Sequence, residues 1–286
     1  MTAPFASSLC GYRLKTGHPS TSDANDSLSI ELGHALFDAL GVTPGAPEIP
    51  AAGSAMEAAV AEHLSMLRPD LVSGQSRRAL DFDQYQHLDT FTQFARKYKG
   101  AGGHLNDVIA GLEAADSTPR IKASLQKLRR IAAASQHDAE LVADLVTAMP
   151  SESLLRIDIT VSDPEQDSRL LVGLSSKWSL RTDRAQDCVS QGSKLVAQRR
   201  GHMPHYAVVT MEPRPSMLRI IADGSGSVDC IYHLALPELR SAAKLLEQKR
   251  NNGAWSPRTQ LERMVSQRRI RAYQELVDEV SHLPSR

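Results

Sequence analysis

Asp158 and the triplet Ser175-Ser176-Lys177 are the residues of this chain whose types and spacing could do chemistry. Asp158 falls midway along 154–161, where alternating apolar and polar positions and β-branched residues predict a strand. An ionised carboxylate buried there is costly without a partner. Lys177 follows nineteen residues later, at the end of a second predicted strand, 170–176, and PEQDSR between the two reads as a turn. On adjacent strands the side chains would converge at one point on the sheet edge. A carboxylate and an ammonium placed together suit phosphodiester hydrolysis. The carboxylate holds a divalent ion that polarises the phosphate and acidifies a water, and the lysine positions the nucleophile or offsets developing negative charge. Magnesium is the natural ion for oxygen ligands and retained waters. The same spacing also describes an ordinary cross-strand pair on a surface, which contributes little.

The next residues, Trp178-Ser-Leu-Arg181-Thr-Asp183-Arg184, leave the strand and enter a helix. Two arginines around an aspartate form a compact device for reading base edges. Arginine pairs bidentately with O6 and N7 of guanine, and a carboxylate accepts from cytosine N4 amino groups. One such set matches a CC/GG half-site, so a two-fold pair of chains would read CCGG. The plain alternative is a helix first turn in which Asp183 complements the dipole and both arginines are solvated.

The elements that must position these residues come in two halves. Residues 27–40 have helical apolar spacing and are closed by Gly41, and Ser54-Ala-Met-Glu57 opens a second helix. A third helix is predicted over 82–98, a fourth from Thr118-Pro119 to about residue 134, and a fifth over 137–149. After Pro150 the pattern turns to strands at 154–161, 170–176, 205–210, 218–222 and 228–232, with a helix over 182–199. Helices over 237–248 and 257–280 close the chain. This layout predicts an α/β fold, a mixed central sheet flanked by helices with a mostly helical N-terminal half packed onto it. One domain over 1–286 is expected, with 1–150 as the helical half, 151–250 as the sheet and reading helix, and 251–286 as a C-terminal helix.

Composition adds limits. The 286 residues are 41% apolar, enough for a sizeable core, and their apolar runs are too short for a membrane span. The N-terminus lacks a basic start followed by an apolar stretch, so a cytoplasmic location is expected. Cys10, Cys188 and Cys230 have no CxxC spacing and read as reduced thiols. The formal net charge is zero, which counts against a general nucleic-acid coat but not against an enzyme whose basic residues line one cleft. His202, His205 and His233 lack the set and spacing of a zinc site and are assigned to packing or phosphate contact.

The run SSKWSLRTDRAQ, followed by RRGHMPHYAVVTMEPRPS and GSVDCIYHLALPEL, resembles the NgoMIV-type restriction endonucleases of the PD-(D/E)xK nuclease fold, in which a serine stands at the usual acidic letter to give S-x-K. The resemblance is nearly continuous over 156–239, traceable through GSAMEAAVAEHL and STSDAND, and poor over the last ~40 residues. It implies Mg²⁺-dependent cleavage of double-stranded DNA at a CCGG palindrome, best GCCGGC, leaving 5′ overhangs. It also implies a homo-oligomer, a dimer or more often a tetramer, with a cognate DNA methyltransferase as genetic partner. Asp158 would be the principal metal ligand and Ser175 and Lys177 the S-x-K pair. Glu57 would join from the N-terminal half, the plain alternative being a capping box with Ser54. Arg181, Asp183 and Arg184 would read the CCGG core, and Asp23 and Asn25 the outer bases.

Two departures stand out. Where the family has a glutamate in the helix after the RxDR block, this chain has Gln191, an amide without charge, with Asp187 one turn earlier as a possible substitute. The family's arginine after the EPxPS turn is Met217 here, with Arg214 and Arg219 close by. Two other readings follow: a DNA-binding protein of the same fold weakened or disabled through Gln191, and a Ser-Lys hydrolase using Ser175 and Lys177.

Overall fold

Apolar β-branched strands build a six-stranded sheet that is antiparallel on one side and parallel on the other. The structure is a computed structural model describing residues 1–98, 100–114, 118–148, 155–164, 169–224, 226–250 and 253–284. In chain order the elements are α1 (Ser27–Ala39), α2 (Ala52–Leu67), β1 (Val72–Arg78), α3 (Asp83–Gln86), α4 (Thr90–Lys97), α5 (Gly102–Glu113) and α6 (Pro119–Ala148). They continue with β2 (Arg156–Ser162), β3 (Leu170–Lys177), α7 (Thr182–Gln198), β4 (His205–Thr210), α8 (Pro215–Ala222) and β5 (Ile231–His233). The last are α9 (Leu236–Arg250), α10 (Ser256–Ser266), β6 (Ile270–Ala272) and α11 (Tyr273–Ser281).

The sheet order is β1-β2-β3-β4-β5-β6. β1–β2 and β2–β3 pair antiparallel, and β3–β4, β4–β5 and β5–β6 pair parallel. The parallel step from β3 to β4 needs a crossover, which α7 provides. Helix α2 packs on β1, β2 and β3, and α11 packs on β5 and β6 and touches α2. The mixed sheet with flanking helices is the α/β class that the sequence predicts.

The chain folds as two units, one formed by residues 1–85 with 155–286 and the other by 86–154. Helices α1 and α2 therefore belong with the sheet. The second unit is helical: α5 packs on α6 around Ile109, Leu125 and Ala132, with Leu105, Ile121 and Leu128 against them.

Several elements differ from expectation. The 218–222 strand is instead helix α8, because Pro215 fits a first helical turn and Leu218, Ile221 and Ala222 are buried at helical spacing. The 82–98 helix is broken into α3, a 3₁₀ turn over His87–Asp89, and α4. The fourth and fifth predicted helices are one, α6, ending at Ala148; residues 149–154, where the expected helix ends and the strand begins, lie outside the described residues, as do 165–168 of the turn. The last expected helix is cut by the short strand β6. Strand β1 has no counterpart in the sequence reading: VSGQSRR is polar because most of this edge strand faces outward.

His205, at the start of β4, anchors the other end of the sheet. Its Nδ1 lies 2.7 Å from Asp229 Oδ2, and Nε2 lies 2.9 Å from Tyr232 Oη and 3.3 Å from Glu279 Oε2 on α11. Burial alone would depress its pKa. The hydrogen bond and charge of Asp229, with Cys230 adding in the same direction, outweigh it and lift the pKa to about 9 from the ordinary 6.5. The His205 contribution to stability should therefore be complete below pH 6.5 and lost as pH rises through about 9. Urea midpoints measured at pH 7 and pH 10 should fall at the higher pH, and less so in His205→Gln. An equal fall in both proteins would remove His205 as the cause.

Candidate active site and DNA-reading surface

The site lies in a fork of the sheet. The β2–β3 ladder runs from Ser162↔Leu170 to Ile159↔Leu174 and stops, yet β2 stays paired with β1 as far as Arg156 and β3 with β4 as far as Lys177. The two central strands part at Asp158 and Ser175. The sequence places this convergence at the sheet edge; β1 and β4 put it inside the sheet instead.

The Asp158 side chain bridges the fork. Its Oδ2 accepts from the Ser176 backbone N–H at 2.7 Å, from Lys177 Nζ at 2.9 Å and from Ser175 Oγ at 3.1 Å. Oδ1 accepts nothing from the described residues. Glu57 comes to the same place on α2. Its pKa is raised, first by burial and then by the Asp158 charge, while Lys177 pulls it down. Ser54 lies inside α2, two residues past the first, so the capping-box reading of Ser54 and Glu57 fails. Ser175 is 1% exposed, and its hydroxyl is committed to Asp158, which removes it as the nucleophile of a Ser-Lys hydrolase.

Two buried residues that sequence reasoning missed complete the floor of the fork. Cys188 Sγ sits 3.6 Å from Ser175 Oγ, and burial pushes its thiol pKa up. Tyr206, on β4, donates its hydroxyl to Gln191 Oε1 at 3.3 Å. A Cβ on Gly192 would lie 2.9 Å from the Tyr206 ring, so a bare glycine lets α7 sit this close. The spacing of Ala185, Cys188, Gly192 and Leu195 along α7 signals a buried stripe, but no sequence feature ties Cys188 to Ser175. Gln191 is thus brought near the fork with its amide oxygen engaged by Tyr206. Asp187 is exposed on α7 and reaches the fork only as a charge felt by Cys188.

The donors present are hard oxygens: Asp158 Oδ1, which accepts nothing from the described residues, Glu57 and the Gln191 amide. Two carboxylates, of which Glu57 is raised first by burial and then by the Asp158 charge, fit a divalent cation with retained waters. Among the described residues no group of three His, Cys, Asp or Glu side chains is assembled as a finished metal cage. The three histidines are not one either: His202 is exposed, His205 is held as above, and His233 is buried, its pKa depressed to about 4 by desolvation.

Four residues beyond Lys177 the chain enters α7, with Arg181 as its N-cap residue. Arg181 and Asp183 are 70% and 61% exposed and pair through Nη2–Oδ2 at 3.0 Å and Nε–Oδ1 at 3.3 Å. Arg184 is exposed as well, and lines a cleft of about 680 Å³ together with Ser176, Lys177, Trp178 and Ser54. Lys177 of the fork and Arg184 of the arginine block therefore line one groove.

A family model described as NgoMIV restriction enzyme matches residues 20–280. The chain belongs to the NgoMIV restriction enzyme family. Among curated proteins, the type II restriction enzyme NgoMIV of Neisseria gonorrhoeae is 48% identical over 77 residues, which is 27% of this chain and 27% of that protein. The match spans about a quarter of the relative's length. The matched span covers the fork residues and α7, as well as the loop with Asp23 and Asn25. In that loop the Asn25 backbone N–H donates to Asp23 Oδ1 at 3.2 Å, and Asp23 N donates to Ser29 Oγ at 2.9 Å.

The groove also holds a strained residue. Ala51, which caps α2 and lines the cleft, has φ +53°, a left-handed conformation that a Cβ disfavours by about 1–2 kcal/mol. Ala51→Gly should raise stability by roughly 1 kcal/mol in urea denaturation. A loss of stability would show that the conformation is not strained.

Proposed function

We propose that this chain is a type II site-specific deoxyribonuclease that hydrolyses both strands of DNA at GCCGGC, with Mg²⁺ as cofactor and 5′ overhangs as product. The observation that carries this reading is one groove lined both by Lys177, which is bonded to Asp158 in the fork, and by Arg184, beside the exposed Arg181-Asp183 pair. Family membership supports the activity, and the RxDR block supports the CCGG core.

Asp158, aided by Glu57, would hold the ion, which when bound supplies positive charge at the scissile phosphate and a more acidic water. Lys177, oriented by Asp158, places an ammonium charge of its own where negative charge develops. Ser175 and the Ser176 N–H fix the Asp158 carboxylate through Oδ2. The Arg181–Asp183 pairing holds both side chains ready for a guanine edge and a cytosine amino group before DNA arrives. Two chains about a two-fold axis supply both halves of CCGG, in keeping with a dimer or tetramer and with a methyltransferase guarding the same site. No helix among the described residues is long and apolar enough to cross a membrane, and a cytoplasmic place of action goes with this reading.

Digestion of a sequenced plasmid carrying GCCGGC and other CCGG sites, with Mg²⁺ and with EDTA, tests it. Discrete fragments in Mg²⁺ alone are expected; uncut plasmid in both overturns the nuclease reading. Asp158→Asn and Lys177→Met should each slow cleavage by about 10²-fold or more while gel-shift binding persists. Arg181→Ala or Arg184→Ala should cost about 1–3 kcal/mol of discrimination against a changed guanine, read as the ratio of binding constants.

The Gln191–Tyr206 hydrogen bond favours a second reading, a weakened or disabled enzyme that still reads DNA, because the family's acidic charge is absent there. Gln191→Glu should then raise the cleavage rate about tenfold or more at low Mg²⁺. An unchanged rate would mean that the amide costs nothing.

A further inference from the structure

The most heavily bonded charged pair among the described residues lies outside the fork. Glu212 and Arg214 follow β4 and are 0% and 5% exposed in their side chains. Both carboxylate oxygens of Glu212 are used. Oε1 accepts from Arg214 N at 3.0 Å and Nε at 2.7 Å, and Oε2 accepts from Leu180 N at 2.6 Å and Arg214 Nη2 at 3.3 Å. Arg214 Nη2 also donates to the Leu180 carbonyl at 2.5 Å, so the pair grips both backbone groups of the residue before Arg181. In the other direction Arg214 Nη1 reaches Asp26 Oδ2 at 3.2 Å and Asp23 Oδ2 at 3.4 Å. His233 Nε2 holds the Glu212 carbonyl at 3.2 Å; its Nδ1 accepts from Ala235 N, so Nε2 is the ring nitrogen that donates.

Stability is a poor explanation for such a pair. Desolvation offsets most of what two buried charges gain, and apolar residues of similar volume often serve as well. What an apolar pair could not do is fix the direction of two separate segments at once. A guanidinium fork can, since its donors lie in one plane and point two ways. The Asp23 charge is also felt at Arg181, which places the outer loop beside the inner reader independently of the Arg214 contacts.

Resting on the GCCGGC reading above, we propose that Glu212 and Arg214 are positioning residues that set the Asp23 loop against the Arg181 reader, and so determine preference for the bases flanking CCGG. Neither needs to touch DNA. Arg214 does its work by holding Asp23 and Leu180 in one frame.

The test compares kcat/KM of the full-length protein on two short duplexes, one with GCCGGC and one with ACCGGT. In Arg214→Lys, which keeps the charge but loses the fork, the preference for GCCGGC should fall about tenfold, with kcat at saturating GCCGGC duplex within about threefold of the original. Asp26→Asn removes one anchor of Arg214 while keeping an N-cap for α1. It should lower the preference about threefold with little change in Tm, and it carries the test if Arg214→Lys does not fold. A preference retained in folded Arg214→Lys, or in Asp26→Asn where that variant stands alone, overturns the proposal. So does an equal loss on both duplexes, the mark of a merely structural pair. Equal kcat/KM of the original protein on the two duplexes would instead sink the outer-base reading on which the proposal rests.

Discussion

One carboxylate oxygen holds the centre of this protein together. Asp158 Oδ2 takes three donors from the neighbouring strand at the point where β2 and β3 stop pairing. A sheet that opens normally strands backbone N–H groups, at a cost that rises with burial. Here the Ser176 N–H is satisfied by a side chain instead, so the strands can separate without an orphaned donor. The fork stays open, and Lys177 lines the groove beside it. The same contact thus stabilises the divergence and orients the reactive groups.

The next link is the short path from Lys177 to Arg181. Anything that reads DNA through Arg181 and cuts it through Lys177 must hold the segment between them rigid to a fraction of an ångström. Trp178 and Leu180 are buried, and the Glu212–Arg214 pair grips the Leu180 peptide from below. On the proposed function, recognition and chemistry would be fastened to the same end of the parallel half of the sheet. The loops beyond the carboxyl ends of β3 and β4 carry both, as open sheets commonly arrange. The distant end of β4 is secured separately by His205, so the two ends of the strand are fixed by different charges.

Much of this is legible in the residues. The strands of Asp158 and Lys177 and the turn into α7 follow from alternation and from a helix-starting pattern, and the resemblance supplies Glu57, which no local signal links to the fork. The rest is hidden for physical reasons. Strand β1 is an outward-facing edge whose side chains carry no apolar pattern. Helix α8 contains Met217, Leu218, Ile220 and Ile221, a short apolar run that fits strand and helix equally until Pro215 is weighed as a first-turn residue. In the sequence Arg214 is only a neighbour of Met217, and its tertiary partners alone show it buried among carboxylates. Cys188 and Tyr206 join the fork through contacts between elements far apart in the chain, which spacing cannot reveal.

The most direct measurement is to incubate the protein and Mg²⁺ with a pool of duplexes randomised over eight base pairs and sequence every cut end. The account predicts that cut duplexes share GCCGGC, with CCGG invariant and both strands cut to leave 5′ overhangs. Cut ends scattered over unrelated sequences, or concentrated on a site without CCGG, would contradict the assignment of Arg181, Asp183 and Arg184 as readers coupled to the Asp158 fork.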